Sequence, residues 1–285
     1  MSIKYVFFGS PKFARIILEK LIENDLPPSV LICNPDKPFG RKKIITPPDT
    51  KEFIISRKLP IKILQPETKE DLENICKSDT DVKNASFGVV AAYSKIIPGS
   101  VIGLLPLGIV GTHPSLLPKY RGASPIQSAI LNGDKATGAT LYLLDEKMDH
   151  GPVLAQESMD ISDFSWNYGN LMEALANSCA NMLIRTLPLF AEGKVVSEMQ
   201  KESEATYTKK FVTEDGHIDL KTDSAELIAR KIRALNPDPG VYTEINNKRV
   251  KLLEVRKDTE EKFIITKIQP EGKNPQPAVL KIHQS

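Results

Sequence analysis

Short, nearly continuous apolar runs alternate with stretches of helical periodicity along the N-terminal part of the chain. The first run, from Ile3 to Phe8, ends at Gly9-Ser10-Pro11, and apolar positions then recur at helical spacing from Phe13 to Glu23. That order reads as strand, tight turn and helix, with Ser10 as a candidate N-cap and Pro11 at the first helical position, where its fixed φ is tolerated. Val30–Cys33 and Ile61–Leu64 read as further strands, and Thr50–Arg57 as a short helix. Between them residues 34–49 form a long proline-punctuated loop, a length that in compact domains usually signals function or disorder. Ser86–Ala92 is a candidate buried strand leading into Tyr93-Ser94-Lys95-Ile96-Ile97-Pro98. Gly108–Thr112 and Ala139–Leu144 are further strands flanking a helix near 124–131, Pro152–Ile161 is extended, and Asn167–Leu189 carries the longest helical pattern.

Strands alternating with helices predict a mostly parallel sheet covered on both faces, an α/β architecture. After Gly193 the texture changes. Residues 194–210 are polar, a helix spans 224–235, and short apolar runs follow at 240–245, 249–255, 262–268 and 278–282. Several short strands with turn signals predict a smaller β-rich C-terminal unit of barrel type. The expected division is a first domain over 1–193, a linker over 194–204 and a second domain over 205–285.

Composition narrows the classes without choosing among them. In 285 residues, 38 Lys and Arg nearly balance 36 Asp and Glu, a net charge of +2 that marks no global nucleic-acid binder. Cys33, Cys76 and Cys179 are odd in number and lack metal-ligand spacing, so reduced thiols in or near the core are expected. No apolar run is long enough to span a bilayer, and the first residues lack the pattern of a cleaved leader. A cytoplasmic protein is expected.

The candidate chemistry is local. Gly9-Ser10-Pro11 lacks the glycine spacing of a dinucleotide-binding turn, so a plain tight turn is the simpler reading, although an amide at a helix N-terminus can still meet a ligand. His113 stands where the apolar stretch before it gives way to the loop Pro114-Ser115-Leu116-Leu117-Pro118, at a strand end, where open α/β sheets put their chemistry. A histidine there can carry protons near neutral pH, and Asp149 in Met148-Asp149-His150-Gly151 can fix its tautomer. Lys37, Arg41, Lys42 and Lys43 crowd one loop, which is either a solvated surface or a phosphate-backbone contact. Residues 248–285 hold nine Lys/Arg against five acids, a modest excess that suits an ordinary surface or a small nucleic-acid-gripping β-domain.

The run from His113 to Gln127, His-Pro-Ser-Leu-Leu-Pro-Lys-Tyr-Arg-Gly-Ala-Ser-Pro-Ile-Gln, resembles the signature of the folate-dependent formyltransferases. Asp149-His-Gly-Pro resembles their second catalytic motif, and Ala92-Tyr-Ser-Lys-Ile-Ile-Pro98 their pterin-side loop. Pro35–Lys43 with Thr46-Pro-Pro, Ala205–Lys210, Arg233–Gly240 and Gln269–Lys273 resemble the methionyl-tRNA formyltransferase branch. The resemblance implies a Rossmann-like catalytic domain with an OB-like C-terminal domain. It further implies formyl transfer from 10-formyltetrahydrofolate to methionyl initiator tRNA, by a monomer without metal or membrane. His113 would be the proton carrier and Asp149 its orienter. Ser10, Phe13, Ala92, Tyr93, Ile96, Ser115, Leu116, Leu117, Pro118, Asp145 and Met148 would hold folate or substrate. Lys37, Arg41, Lys42, Lys43, Lys209 and Lys210 would meet tRNA.

Three positions depart from the family's pattern. Gly111 stands where the family has an asparagine whose amide donates to the formyl oxygen, Asp238 stands where tryptophan is usual, and the tail after Gln276 differs. Losing one oxyanion donor typically costs about 10²–10³ in turnover, so a slowed enzyme is expected, and restoring the side chain by Gly111→Asn is expected to raise turnover by roughly tenfold or more. In extended backbone Thr112 faces the other side and cannot substitute, which leaves Ser115 or a water as replacement donor. A nucleotide-sugar N-formyltransferase and an inactive folate- or tRNA-binding homologue stay open as alternatives.

Overall fold

All five residues of the first strand, β1 (Tyr5–Gly9), are buried, as expected of a strand covered on both faces. The structure is a computed structural model that describes residues 3–40 and 42–282. Chain order continues through α1 (Lys12–Glu23), β2 (Val30–Ile32), β3 (Lys37–Phe39), β4 (Ile44–Thr46), α2 (Asp49–Ser56) and β5 (Lys62–Leu64). Then come α3 (Lys69–Ser78), α4 (Thr80–Lys83), β6 (Phe87–Ala91), α5 (Gly99–Ile102), β7 (Ile109–His113) and the two-residue β8 (Arg121–Gly122). They are followed by α6 (Pro125–Asn132), β9 (Ala136–Leu143), β10 (Val153–Asp160) and α7 (Tyr168–Ala191). After the short β11 (Tyr207–Thr208) the chain forms α8 (Ala225–Leu235), β12 (Tyr242–Ile245), β13 (Lys248–Lys257), β14 (Phe263–Pro270) and β15 (Gln276–Lys281).

The main sheet has seven strands in the order β10-β9-β7-β6-β1-β2-β5. β1 pairs in parallel with both β2 and β6, β2 with β5, and β6 with β7, whereas β9 runs antiparallel to β7. This is the mostly parallel α/β sheet that the alternating pattern predicts. On one face Val6, Phe8, Val30, Ile32 and Ile109 form a core with Leu72 and Cys76 of α3 and Val101 of α5. On the other, Tyr5 stacks on Phe87, and Phe190 of α7 meets Phe87 edge-on. Each fully buried side chain of this size contributes about 1.5–3 kcal/mol relative to exposure, so the sheet is a rigid platform for whatever its strand ends carry.

The chain divides into two units. The first comprises Met1–Arg121, Gly138–Met159 and Met172–Thr206, and the second comprises Gly122–Thr137, Asp160–Leu171 and Tyr207–Ser285. In the second, β12-β13-β14-β15 form an antiparallel sheet. Ser224 caps α8 by accepting from the Leu227 amide, and the helix buries Ile228, Ala229, Ile232 and Leu235. Asp238 is exposed in the loop between α8 and β12, and the departing tail from Gln276 is the edge strand β15.

Several local expectations are corrected. Ser10 does not cap α1: Pro11 occupies the N-cap without a side-chain bond, and the Ser10 hydroxyl accepts from the Asn34 amide at 2.9 Å. The stretch 34–49 is not a plain loop, because Lys37–Phe39 and Ile44–Thr46 pair as an antiparallel hairpin. The Ile44-Ile45-Thr46 run has strand propensity that its prolines and basic neighbours conceal in the sequence. Helices α3 and α4 are not predicted by the apolar periodicity, yet α3 carries a capping box in which Thr68 accepts from the Asp71 amide and Asp71 from that of Thr68.

Candidate functional site

The antiparallel register between β7 and β9 sets the site. Gly111 lies opposite Tyr142 and His113 opposite Thr140. Residues two apart share a face, so these four positions project to the same side, and Thr112 projects to the other, where its hydroxyl donates to Val90 O at 3.1 Å. His113, the last residue of β7, is 5% exposed. Its Nε2 lies 2.8 Å from Tyr120 O, and because a carbonyl only accepts, Nε2 carries the proton. The ring's other nitrogen, Nδ1, faces Asp149 Oδ2 at 3.6 Å. Proton exchange at this imidazole therefore runs through Nδ1, beside a carboxylate placed to hold the charge that forms.

Asp149 adopts left-handed backbone, φ 51°, a conformation an aspartate tolerates better than most residues. Its Oδ1 accepts from the Tyr142 hydroxyl at 2.7 Å, and its backbone carbonyl accepts from Gln200 Nε2 at 2.9 Å. Gln200 Nε2 also donates to Gly151 O at 2.8 Å, so a single amide bridges both sides of His150. The Gln200 carbonyl is held in turn by Nε and Nη2 of Arg121, a fully buried side chain whose Nη1 pairs with Glu202. His150 Nδ1 lies 2.6 Å from Asp145 Oδ2, and its Nε2 lies 3.6 Å from Glu202 Oε2. Local pattern does not single out Arg121, Tyr142, His150, Gln200 or Glu202, since their link to Asp149 runs through tertiary structure. Two signals are visible in the sequence: Arg121 lies within the His113–Gln127 run, and His150 adjoins Asp149.

The loop after His113 is braced by hydroxyls. The Ser115 hydroxyl donates to Lys119 O, and Thr140 Oγ1 donates to Ser115 O at 2.6 Å while accepting from the Leu117 amide at 3.1 Å. Gln156 adds a bond to Leu117 O at 3.0 Å. Ser115 therefore serves the loop's shape, which corrects the expectation that its hydroxyl replaces a missing donor. Leu117 is buried, and Leu116 and Pro118 are half-buried beside it.

Space at Gly111 corrects a second expectation. A Cβ built there meets Cε1 of Tyr142, sits 2.6 Å from its Cζ and 2.8 Å from Leu144 Cδ1. An asparagine introduced alone would require the Tyr142 ring and Leu144 Cδ1 to shift, so the gain expected of Gly111→Asn meets a steric obstacle here.

The remaining candidates are spread over neighbouring strand ends, α1, the β3–β4 hairpin and the second unit. Gly9 packs so closely that a Cβ would stand 2.7 Å from Ala14 Cβ and 2.8 Å from Ala91 O, a packing role. Phe13 is buried in α1. Ala92 follows β6 with φ 46°, and the Tyr93 ring packs edge-on against Phe8 with its hydroxyl buried; burial pushes that phenol's pKa up. Asn34 Nδ2 donates to Ser94 Oγ at 2.9 Å, tying this loop to the end of β2. Ile96 and Met148 expose apolar side chains at 84% and 56%. A Cβ at Gly99 would stand 3.0 Å from Glu146 Oε1, so the 144–149 loop runs beside the segment that follows residue 97. Lys37, Lys42 and Lys43 are exposed on the β3–β4 hairpin, together with Phe39, Ile44 and Ile45, an apolar exposure that the sequence does not announce. Arg41 lies outside the described residues. Lys209 and Lys210 belong to the second unit, where Lys209 pairs with Asp215 at 2.7 Å and holds that carboxyl below its usual range.

A family model described as formyl transferase matches residues 3–187, and one for the formyl transferase C-terminal domain matches residues 210–264. The chain belongs to the formyl transferase family. A methionyl-tRNA formyltransferase of Campylobacter jejuni is 43% identical over 242 residues, covering 85% of this chain and 76% of that protein. One from Campylobacter lari is 38% identical over 269 residues, covering 94% and 85%. Among solved structures, HypX from Aquifex aeolicus in complex with tetrahydrofolic acid shares the fold with a TM-score of 0.68 at 15% identity. That match covers 97% of this chain and 46% of HypX, so the chain spans about half of HypX's length. Family membership makes this protein a formyl-group transferase. Ile96 and Met148 are exposed on the two adjoining loops 92–98 and 144–149. Among the described residues no group of three or more His, Cys, Asp or Glu is placed to hold a metal ion, and no helix is long and apolar enough to cross a membrane.

Proposed function

We propose that this formyl transferase moves the formyl group of 10-formyltetrahydrofolate onto the α-amino group of methionyl initiator tRNA, as a cytoplasmic enzyme of translation initiation. The observation that carries the reading is the His113–Asp149 pair at the end of β7, with Nδ1 and Oδ2 facing each other at 3.6 Å. In this reading the amine attacks the formyl carbon, a carbon–nitrogen bond forms, and the bond from that carbon to N10 of the folate breaks. His113 Nδ1 takes the amine's proton, Asp149 stabilises the imidazolium, and the proton leaves on N10. Backbone of 91–97 and 144–149 holds the pterin, with Ser10, Phe13, Ser115, Leu116, Leu117 and Pro118 shaping the remainder of the pocket.

The tRNA reading is supported by the 38–43% identity to proteins named methionyl-tRNA formyltransferase and by the exposed hairpin. Lys37, Arg41, Lys42 and Lys43 meet phosphates, while exposed Phe39, Ile44 and Ile45 offer apolar surface to an unpaired base. In this reading residues 205–285, with Lys209 and Lys210, grip tRNA. The expected division at 1–193, 194–204 and 205–285 differs from the two units, the second of which also takes in Gly122–Thr137 and Asp160–Leu171.

The test compares two acceptors. With methionyl-tRNA, replacing Lys37, Lys42 and Lys43 by Ala is expected to lower kcat/KM at least about tenfold and to flatten its salt dependence. With a free small amine the same variant should match the wild type. A protein that formylates a nucleotide-linked amino sugar efficiently and methionyl-tRNA not at all would overturn the reading.

A further inference from the structure

Gly111 and Tyr142 form one unit across the β7–β9 ladder. They are register partners, and the ring of Tyr142 fills the space that a side chain at 111 would occupy. The ring does more than plug a gap. Its hydroxyl reaches Asp149 Oδ1 at 2.7 Å, on the oxygen opposite the one that faces His113. Tyr142 is only 7% exposed, so ring and hydroxyl are fixed by packing. Burial, reinforced by the charge of Asp149 and the bond to it, pushes the phenol pKa well above its ordinary value of 10.0, so the hydroxyl stays a donor throughout the working range.

We propose that Tyr142 is the positioning residue of this catalytic centre: it takes over the volume left by Gly111 and holds the Asp149 carboxylate so that Oδ2 addresses His113 Nδ1. An aspartate side chain can take several rotamers, and a bond to one carboxylate oxygen selects among them. The Gln200 amide fixes the backbone of Asp149 and not its carboxylate. A phenol donor at Oδ1 supplies that hold, as outer partners commonly do for reacting groups. With the Tyr142 ring where it stands, a side chain at 111 and that ring compete for one space.

The inference rests on the formyl-transfer reading, and its test keeps the two apart. Tyr142→Phe retains the ring and removes only the hydroxyl. Its thermal midpoint should stay near that of the wild type, kcat should fall about tenfold or more, and KM for both substrates should stay within about twofold. Wild-type kcat in Tyr142→Phe overturns the assignment. A second arm uses Gly111→Asn, Tyr142→Leu and the two together, because leucine ends short of the colliding Cε1 and Cζ. The double variant should exceed the product of the two single effects by about tenfold or more, the coupling expected of groups sharing one space. Strict additivity also overturns it. Absence of any formyl transfer by the wild type would instead remove the reading on which the inference rests.

Discussion

At position 111 the missing side chain has two consequences of opposite sense. It removes the amide that the family resemblance leads one to expect, and it admits the Tyr142 ring that carries a hydroxyl to Asp149. Gly111→Asn on its own is therefore expected to destabilise by about 1–3 kcal/mol, the usual cost of overpacking, and to lower turnover. Urea unfolding beside initial rates measures both, and a variant as stable as the wild type with faster turnover would contradict this. At this scale the sequence is informative about His113, Asp149 and Gly111, because motif spacing and a strand end mark them. Tyr142 is illegible there for a physical reason. Its role depends on which residue of β9 faces Gly111, and an antiparallel register is set by the tertiary fold, not by local pattern.

The elements around the centre are held by a few side chains from distant parts of the chain. Gln200 ties the carbonyls of Asp149 and Gly151, and buried Arg121 holds Gln200 in place. Gln200→Ala should leave both carbonyls without that donor, costing about 1–3 kcal/mol in urea unfolding and raising KM for the folate donor. Lys201→Ala, at an exposed neighbouring position, should change neither, and equal effects in both variants would show that the bridge does nothing particular. Most strand positions are legible in the sequence because buried parallel strands read as unbroken apolar runs. The β3–β4 hairpin is not, since its residues are exposed on both strands and lack the alternation that one buried face imposes. Helices α3 and α4 escape because only Leu72, Cys76 and Val82 among their residues are buried, too few for a periodic stripe.

For the whole molecule, near-balanced charge leaves recognition to local features, and buried ionisable groups set the alkaline limit of stability. Burial pushes the Cys33 and Cys76 thiols from 9.0 up to about 12, and raises the phenols of Tyr5 and Tyr142 above 10.0. These groups stay protonated in the folded chain and ionise at their ordinary values when it unfolds. Their contribution is thus fully present below about pH 9 and is lost as pH rises towards about 12, because the unfolded state then binds fewer protons than the folded one. The thermal midpoint should hold from pH 7 to 9 and drop steeply beyond, and a midpoint unchanged at pH 11 would contradict that burial. The central claim is that the His113–Asp149 pair, held by Tyr142, transfers a formyl group to methionyl-tRNA. Single-turnover transfer of a labelled formyl group from 10-formyltetrahydrofolate, with enzyme in excess, tests it most directly. Wild-type protein should convert methionyl-tRNA to the labelled formyl product in step with folate consumed, and His113→Ala should not. Binding of both substrates by the wild type with no label transferred would contradict the account.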